Sequence, residues 1–266
     1  MHEIFLTATV QPENVETVRA ILQGYCEGGE RQRVTLVRHL HRRDESSGMI
    51  ANIKGLPTIK ELQKEKGPNT ALWQELHQSL AKQSYILQTR YDVTEEFSNA
   101  QAGDPRAVGA AGKKPVVGTL RWNDQCDPPS NRYPPFVTQR RCLEIRDKNL
   151  ELILAANKFT LKSESVEESC TWWCDGEEYS LVRYLTFSPE LSATGEPQLQ
   201  QTVPVWLLFI RMQVESNLER MQQAYATLSR IREKLFRVPQ IQFKVFDRRA
   251  HDTRDIGAYR SSVVPA

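Results

Sequence analysis

The sequence predicts a mainly β fold class with some helix, namely an antiparallel β-barrel of about eight or more strands with two or three flanking helices. Two observations carry this prediction. About eight to ten segments alternate apolar and polar side chains with the period of two that is typical of a half-buried strand. Short turns join most of these segments, whereas a parallel sheet would need a helix between successive strands. Closing such a sheet into a barrel also removes its edge strands.

The first half of the chain opens as strand, helix, strand. Pro12 stands where the first turn of a helix tolerates it, and apolar side chains then recur at helical spacing until Gly28 and Gly29 interrupt them. In order, the pattern predicts a strand at 4–10, a helix at 12–25, a strand at 32–40, a loop at 42–69, a helix at 69–83 and a strand at 85–93.

The second half of the chain is rich in strand patterns and contains one long helix. Ser216 and Glu219 have the spacing of a capping box, apolar side chains then follow at helical spacing, and Pro239 ends the helix. Before this helix the pattern predicts strands at 116–122, 137–146, 150–154, 158–162, 169–174, 177–187 and 202–214, and after it a strand at 241–246.

The domain organisation follows from length and composition. We expect the first 247 of the 266 residues to form a single β-barrel domain with long loops, 1–247. Residues 98–115 contain ten Ala, Gly or Pro among 18 residues, so they have little apolar surface to bury, and we expect a disordered insertion there. Residues 248–266 are polar, and we expect a flexible C-terminal tail.

A hairpin in the second half carries the candidate partner-contact residues. The dipeptide Asp175-Gly176 suits a two-residue type I′ turn, which places Trp172 opposite Tyr179 and Trp173 opposite Glu178. The two tryptophans then lie on opposite faces of one strand, so a single core cannot bury both. Either a helix of this chain or another subunit covers the second ring. We therefore take Trp172, Trp173 and Tyr179 as candidate contacts with a partner protein.

Composition excludes several classes of protein. The formal net charge is only +2 without a long run of one sign, which argues against a polybasic nucleic-acid tail. The longest apolar stretch, Val203–Ile210, is far shorter than the roughly 20 residues of a membrane-spanning helix, so we expect no membrane partner. Five scattered cysteines are typical of free thiols in a reducing compartment, the cytosol or the nucleus.

The residue patterns of common catalytic and metal sites are missing from the sequence. Cys170 and Cys174 lie on one predicted strand with Cα atoms roughly 13 Å apart, which is too far for a disulfide or a shared ion. His39 and His41 share a strand face but are surrounded by arginines that repel a cation. The chain also lacks a nucleophile elbow and a glycine-rich phosphate loop. We therefore expect no catalytic residue, no cofactor and no metal.

Several segments, taken in order, resemble the fungal family of Mediator complex subunit eighteen. The resemblance covers nearly the whole chain apart from the Ala/Gly-rich insertion. It is carried by Met1-His2-Glu3 with Leu6 and Ala8, the helix with Leu72–Leu76, the strand Leu120-Arg121-Trp122 before a proline-rich loop, and the closing helix and strand from Leu218 to Asp247.

The resemblance implies a noncatalytic function in the nucleus. The family forms a barrel in the Mediator head module, acts as a transcription coregulator and contacts RNA polymerase II. The implied partners are a similar barrel, Mediator subunit twenty, as a heterodimer, and a C-terminal helix of Mediator subunit eight.

The alternative is a phosphohydrolase of the triphosphate tunnel type, which shares the barrel. Those enzymes need a Glu-x-Glu-x-Lys strand near the N-terminus, where this chain has only Glu3 and no lysine.

Overall fold

Most strands of this protein lie close to the positions along the sequence that the alternating pattern predicts. The computed structural model describes residues 1–26, 28–42, 69–80, 87–101, 117–128, 130–147, 150–191, 197–201 and 205–245. The strands are β1 His2–Val10, β2 Arg31–Arg42, β3 Leu87–Asp92, β4 Gly118–Asn123, β5 Thr138–Asp147, β6 Phe159–Cys174, β7 Glu177–Leu191, β8 Pro197–Gln201, β9 Trp206–Val214 and β10 Gln242–Lys244.

Eight of the described strands close into an antiparallel barrel. The pairing runs β1-β5-β4-β3-β2-β6-β7-β9, and β9 pairs back with β1 along its whole length, from His2 opposite Val214 to Val10 opposite Trp206. Two short strands lie outside this closed path. β8 pairs with β7, and β10 pairs with β1 beyond the point where β5 diverges from it. The prediction of an antiparallel barrel of about eight strands is confirmed.

Helices pack on the outside of the barrel in the described parts of the chain. They are α1 Val15–Tyr25, α2 Thr70–Leu80, α3 Thr94–Gln101, α4 Leu150–Ala156 and α5 Leu218–Leu235, with a 3-10 turn at Pro12–Asn14. α1 and α5 share one buried cluster with the apolar side chains of β1 and β9. α2 and α4 share a second cluster with β3, β4 and β5. None of the helices described here is long and apolar enough to cross a membrane.

Side-chain alternation separates the interior of the barrel from these outer clusters. On β1, Ile4, Leu6 and Ala8 pack against α1 and α5. Glu3 and Phe5 lie on the other face of the strand and therefore point into the barrel. The remaining strands alternate in the same way. The interior therefore receives polar and charged side chains, while most large aliphatic side chains lie between the sheet and the helices.

The predicted strand at 150–154 is wrong, because this segment is the helix α4. The sequence Leu-Glu-Leu-Ile-Leu alternates at its start, but it consists of residues with good helix propensity. The helical spacing places Leu150, Ile153 and Leu154 on one face, and all three are buried in the second cluster. A strand would have buried only alternate residues.

Smaller differences concern the ends of elements. The long helix α5 is capped by Asn217, whose side chain accepts a hydrogen bond from the Glu219 backbone N–H, and not by Ser216 as predicted. Residues 98–101 of the insertion predicted to be disordered form the last turn of α3. The rest of that insertion, residues 43–68 of the loop predicted at 42–69, and the predicted tail 248–266 lie outside the described residues.

The packing of α4 on β4 yields a prediction about two glycines. A Cβ atom at Gly118 would lie 2.6 Å from Cε1 of Tyr91 and 3.0 Å from Cδ1 of Leu150. We expect Gly118→Ala to lower the free energy of unfolding by about 1–3 kcal/mol through overpacking. Gly24 in α1 has nothing within 4 Å of the same atom, so Gly24→Ala should raise it by about 0.5–1 kcal/mol. Urea denaturation of both variants measures the difference, and equal effects would contradict the packing described here.

Candidate functional site in the barrel and at its hairpin tip

Glu3 is the most deeply buried carboxylate in the barrel interior. It is 1% exposed, and its two carboxylate oxygens lie 2.6 Å from Nη2 of Arg121 and 2.6 Å from Nη2 of Arg140. Arg211 adds a third guanidinium at 3.5 Å. The three arginines come from β4, β5 and β9, so one carboxylate ties four strands of the barrel together.

This arrangement fixes the charge of Glu3. Burial alone would raise the pKa of its carboxyl group, but Arg121, Arg140 and Arg211 outweigh burial and hold the pKa far below its ordinary range. Burial would likewise lower the pKa of Arg121, and the Glu3 and Glu144 carboxylates raise it instead. Glu3 is therefore a permanent anion inside the folded barrel.

Further ion pairs occupy the rest of the interior. Nε of Arg211 lies 3.0 Å from the Glu178 carboxylate, although the angle does not make a hydrogen bond. Nη2 of Arg90 donates to Glu167 at 2.5 Å. Burial would raise the pKa of Glu167, but the Arg90 guanidinium outweighs burial and lowers it. Each of these arginine heads thus lies against a carboxylate of its own chain.

His39 lies beside these pairs and remains neutral. Burial, with the positive charge of Arg90, lowers its pKa to about 4. Its ring nitrogens lie 3.2 Å from the Gln88 amide nitrogen and 3.3 Å from the Ser163 hydroxyl. The ring therefore sits between two neutral polar groups close to a cation, as expected for a structural histidine.

The chemistry of this interior is that of a self-neutralised polar core. Binding a phosphate needs guanidinium groups that are free to meet it, and binding a metal needs carboxylates that are free to coordinate. The arginines described above already pair with Glu3, Glu167 and Glu178. The inward face of β1 carries Glu3, Phe5, Thr7 and Thr9, so the first strand offers one carboxylate, which is already paired with arginines.

The hairpin of β6 and β7 has the predicted register, with Trp172 opposite Tyr179 and Trp173 opposite Glu178. Trp172 is fully buried beneath α1, where its indole Nε1–H donates to Gln23 at 3.0 Å. Tyr179 is 1% exposed and packs edge-on against Tyr25, with ring centroids 5.6 Å apart. A helix of this chain therefore covers these two candidate contacts.

Trp173 points the other way and is 56% exposed. Of the three candidate contact residues, it alone presents a large surface to solvent. At this position β6 pairs with β7, where Glu178 lies opposite Trp173, whereas its pairing with β2 ends at Thr171.

A second exposed aromatic residue, which the sequence patterns did not single out, lies at the end of α5. Phe236 follows α5 directly and is 64% exposed. The Arg232 guanidinium lies 5.1 Å from the centre of its ring and also stacks against Phe136 and Phe243. The signal in the sequence was the helical spacing itself, because Phe236 falls beside the apolar stripe that includes Leu235.

The hairpin tip also brings potential metal ligands together. Ligand atoms of Cys174, Asp175 and Glu177 all lie within 4.8 Å of one another. Cys170 is not part of this group, in agreement with the strand spacing between the two cysteines. The spacing of cysteines along one strand gives no sign of this group, because its residues meet across the turn between β6 and β7.

The Glu3 network predicts a large and pH-dependent loss of stability on substitution. We expect Glu3→Gln to lower the free energy of unfolding by about 3–5 kcal/mol, because the buried Arg121 and the partly buried Arg140 and Arg211 lose their shared anion. The pKa of Glu3 is lowered on folding from an ordinary value of 4.5, so its charge stabilises the fold above that pH and less as the pH falls below it. The wild type and the variant should converge in acid.

The matched control is Glu144→Gln. Glu144 also faces Arg121, but at 3.6 Å and with 43% of its side chain exposed, so we expect a change within about 1 kcal/mol. Denaturant titrations at neutral and acidic pH measure both variants. A Glu3→Gln effect as small as that of the control would show that the buried network does not hold the barrel together.

Several solved structures are similar to this chain. The chain is similar to a structure of the Schizosaccharomyces pombe Mediator head module, with 11% identity and a TM-score of 0.58, covering 91% of this chain and 98% of that one. It is also similar to the PH1819 protein of Pyrococcus horikoshii OT3, with 12% identity, a TM-score of 0.46, and 92% and 94% covered.

A third similar structure is an adenylyl cyclase-like protein of Hippeastrum described as having a dominant triphosphatase activity, with 6% identity, a TM-score of 0.47, and 99% and 97% covered. No curated protein sequence matches significantly. The comparison with protein families matches residues 2–254 to the family described as Med18 protein. This match spans nearly the whole chain and therefore both clusters of the barrel. The chain belongs to the Med18 protein family.

Proposed function

We propose that this protein is a noncatalytic subunit of the Mediator head module that works through protein–protein contacts. It serves as a transcription coregulator in the nucleus and bridges regulators and RNA polymerase II. The observation that carries the proposal is a barrel interior neutralised by its own ion pairs in a chain of the Med18 family. Because the charged groups of the interior already pair with one another, we assign the contacts with partners to the surface of the barrel.

The proposed partners are those that the family resemblance implies. Mediator subunit twenty, a similar barrel, forms the heterodimer, and a C-terminal helix of Mediator subunit eight binds to the pair. Trp173 is the proposed partner contact on this chain. A large aromatic ring held on a rigid strand loses little conformational entropy on binding, and tryptophan is enriched among the residues that dominate interface energies.

Trp172 and Tyr179 act differently from Trp173. Both are buried beneath α1, so they support the strand that displays Trp173 and do not touch a partner directly.

Substitution of each tryptophan tests this assignment. We expect Trp173→Ala to weaken binding to the other head subunits by roughly 30-fold, as loss of a dominant interface residue does, while the melting temperature of the isolated chain stays nearly unchanged. Trp172→Ala should instead lower the free energy of unfolding by about 3–5 kcal/mol. Tagged Mediator subunit twenty, co-expressed with each variant, measures binding, and calorimetry of the isolated chain measures stability.

Phe236→Ala is the control for that experiment, because it removes an equally exposed ring from a different part of the fold. Binding that is lost in Phe236→Ala and kept in Trp173→Ala would place the partner contact at the end of α5. Early melting of Trp173→Ala would show that its ring belongs to the core of this chain.

The alternative function, a phosphohydrolase of the triphosphate tunnel type, is not favoured and has a direct test. We expect no hydrolysis of ATP or inorganic triphosphate with Mg²⁺ or Mn²⁺ above a heat-denatured sample, because the carboxylates of the interior already bind arginines. Release of inorganic phosphate by the purified chain is the measurement. Turnover that disappears in Glu167→Gln or Glu178→Gln would overturn the noncatalytic assignment.

A further inference from the structure

Three phenylalanine rings surround one arginine at the end of α5. The Arg232 guanidinium lies 4.3 Å from the ring centre of Phe136, 5.1 Å from that of Phe236 and 5.8 Å from that of Phe243. Phe136 lies two residues before β5 and Phe243 lies in β10, so three separate parts of the chain meet at this side chain. We call these four residues the arginine–phenylalanine cluster.

The cluster is anchored on one side and open to solvent on the other. Phe136 and Phe243 are partly buried and pack against the apolar cluster under α1 and α5. Phe236 ends α5, where its backbone N–H donates to the Arg232 carbonyl at 2.7 Å, and its ring is 64% exposed. Phe236 is therefore the ring that this cluster presents to a partner.

Arg232 differs from the other arginines that are at least partly buried in the described part of the chain. Each of those nine arginines lies within 3.4 Å of a carboxylate oxygen, whereas Arg232 has no carboxylate partner among the described residues. The nine are Arg19, Arg33, Arg38, Arg90, Arg121, Arg140, Arg141, Arg183 and Arg211.

The Arg232 side chain is also short of a hydrogen-bond acceptor. Its Nε is shielded from solvent and donates to no acceptor. Aromatic rings attract a cation through their faces, but they accept none of the hydrogen bonds that a guanidinium offers. A partly buried cation in this state is stabilised by any carboxylate that reaches it.

The charge around the cluster has one dominant sign. Residues 230–245 contain five basic side chains and one acidic side chain, a local net charge of +4 in a protein whose formal net charge is +2. Arg237 and Lys244 are exposed and directly follow Phe236 and Phe243 along the chain. A basic surface around an exposed ring attracts an acidic partner and repels a basic one.

We propose that the arginine–phenylalanine cluster, with Arg237 and Lys244, binds an acidic peptide segment of a partner protein. A carboxylate of that segment pairs with Arg232 and supplies the anion that this chain does not provide. An aromatic or long aliphatic side chain of the same segment packs on the exposed ring of Phe236. The partner segment thus carries acidic residues beside a large apolar residue.

A peptide fits this surface better than a nucleic acid does. Single-stranded nucleic acids bind along grooves where successive bases stack on a series of aromatic rings. Only Phe236 of the three phenylalanines presents a large surface to solvent. One exposed ring beside an unpaired guanidinium matches one apolar side chain beside a carboxylate.

This surface goes beyond the contact assigned to Trp173, because it uses different residues and a partner of different chemistry. Its failure leaves the assignment of Trp173 intact. The variants Phe236→Ala and Trp173→Ala distinguish the two surfaces in one experiment.

Fluorescence anisotropy with the full chain tests the proposal. The probe is a short, labelled synthetic peptide in which glutamates flank a central phenylalanine. We expect at least about tenfold weaker binding of this peptide to Phe236→Ala and about threefold weaker binding to Arg237→Gln. Two matched peptides, one with glutamine for glutamate and one with serine for phenylalanine, should each bind the wild type at least about tenfold more weakly.

Two matched variants serve as controls. Arg220→Gln removes an exposed arginine near the start of α5, and Trp173→Ala removes an exposed ring from the β6–β7 hairpin. Both should bind the peptide as the wild type does. Phe236 and Arg237 are exposed, so their variants carry the test, with circular dichroism confirming that both are folded.

Several results would overturn the proposal. One is the absence of binding to the wild type, and another is equal loss in Arg220→Gln, which would show attraction by net charge alone. Equal loss in Trp173→Ala would place the peptide on the hairpin. Single-stranded DNA of the same charge that displaces the peptide at equal concentration would assign the surface to a nucleic acid.

Discussion

The barrel depends on burying charge inside a closed sheet. Closure between β1 and β9 leaves Glu3 with no access to water, and a buried carboxylate is strongly unfavourable unless it is paired. Arg121 and Arg140 provide that pairing at 2.6 Å from two other strands. The carboxylate at the start of the chain therefore links strands that are far apart in sequence, and the seam of the barrel lies directly beside it.

The hydrophobic effect acts mainly outside the barrel wall. Most large aliphatic and aromatic side chains lie between the sheet and its helices, in one cluster under α1 and α5 and another under α2 and α4. Ion pairs in the interior favour this pairing of the strands, and apolar side chains buried under the helices stabilise the fold. Trp172 and Trp173 are adjacent on one strand, but Trp172 is buried because it faces a helix, whereas Trp173 lies on the other face and is exposed.

The proposed function uses the outer surface of the protein, because the charged groups of the barrel interior pair with one another. The proposed partner contact at Trp173 lies on the β6–β7 hairpin close to the loop that follows α1, because a Cβ atom at Gly28 would lie 3.2 Å from the Trp173 carbonyl oxygen. A rigid hairpin tip would present the Trp173 ring in a fixed orientation, which favours tight association because less motion is lost on binding. The exposed Phe236 at the end of α5 is a separate surface.

The sequence by itself determined the elements whose patterns are local. Alternation along β1, the Asp175-Gly176 turn with its register, and the apolar stripe of α5 all follow from the repeat of strand, turn and helix, and the structure agrees with each. A segment as short as α4 is ambiguous, because its pattern of apolar and polar residues fits both the period of a strand and the period of a helix.

The tertiary structure alone decided which elements meet. Arg121 is 118 residues from Glu3 and Gln23 is 149 residues from Trp172, yet both pairs are joined by hydrogen bonds. No local repeat records such contacts, because the pairing of distant strands and the packing of helices on them depend on the whole closed sheet. The fold class was therefore within reach of the sequence, while the ion-pair network and the hairpin cluster were not.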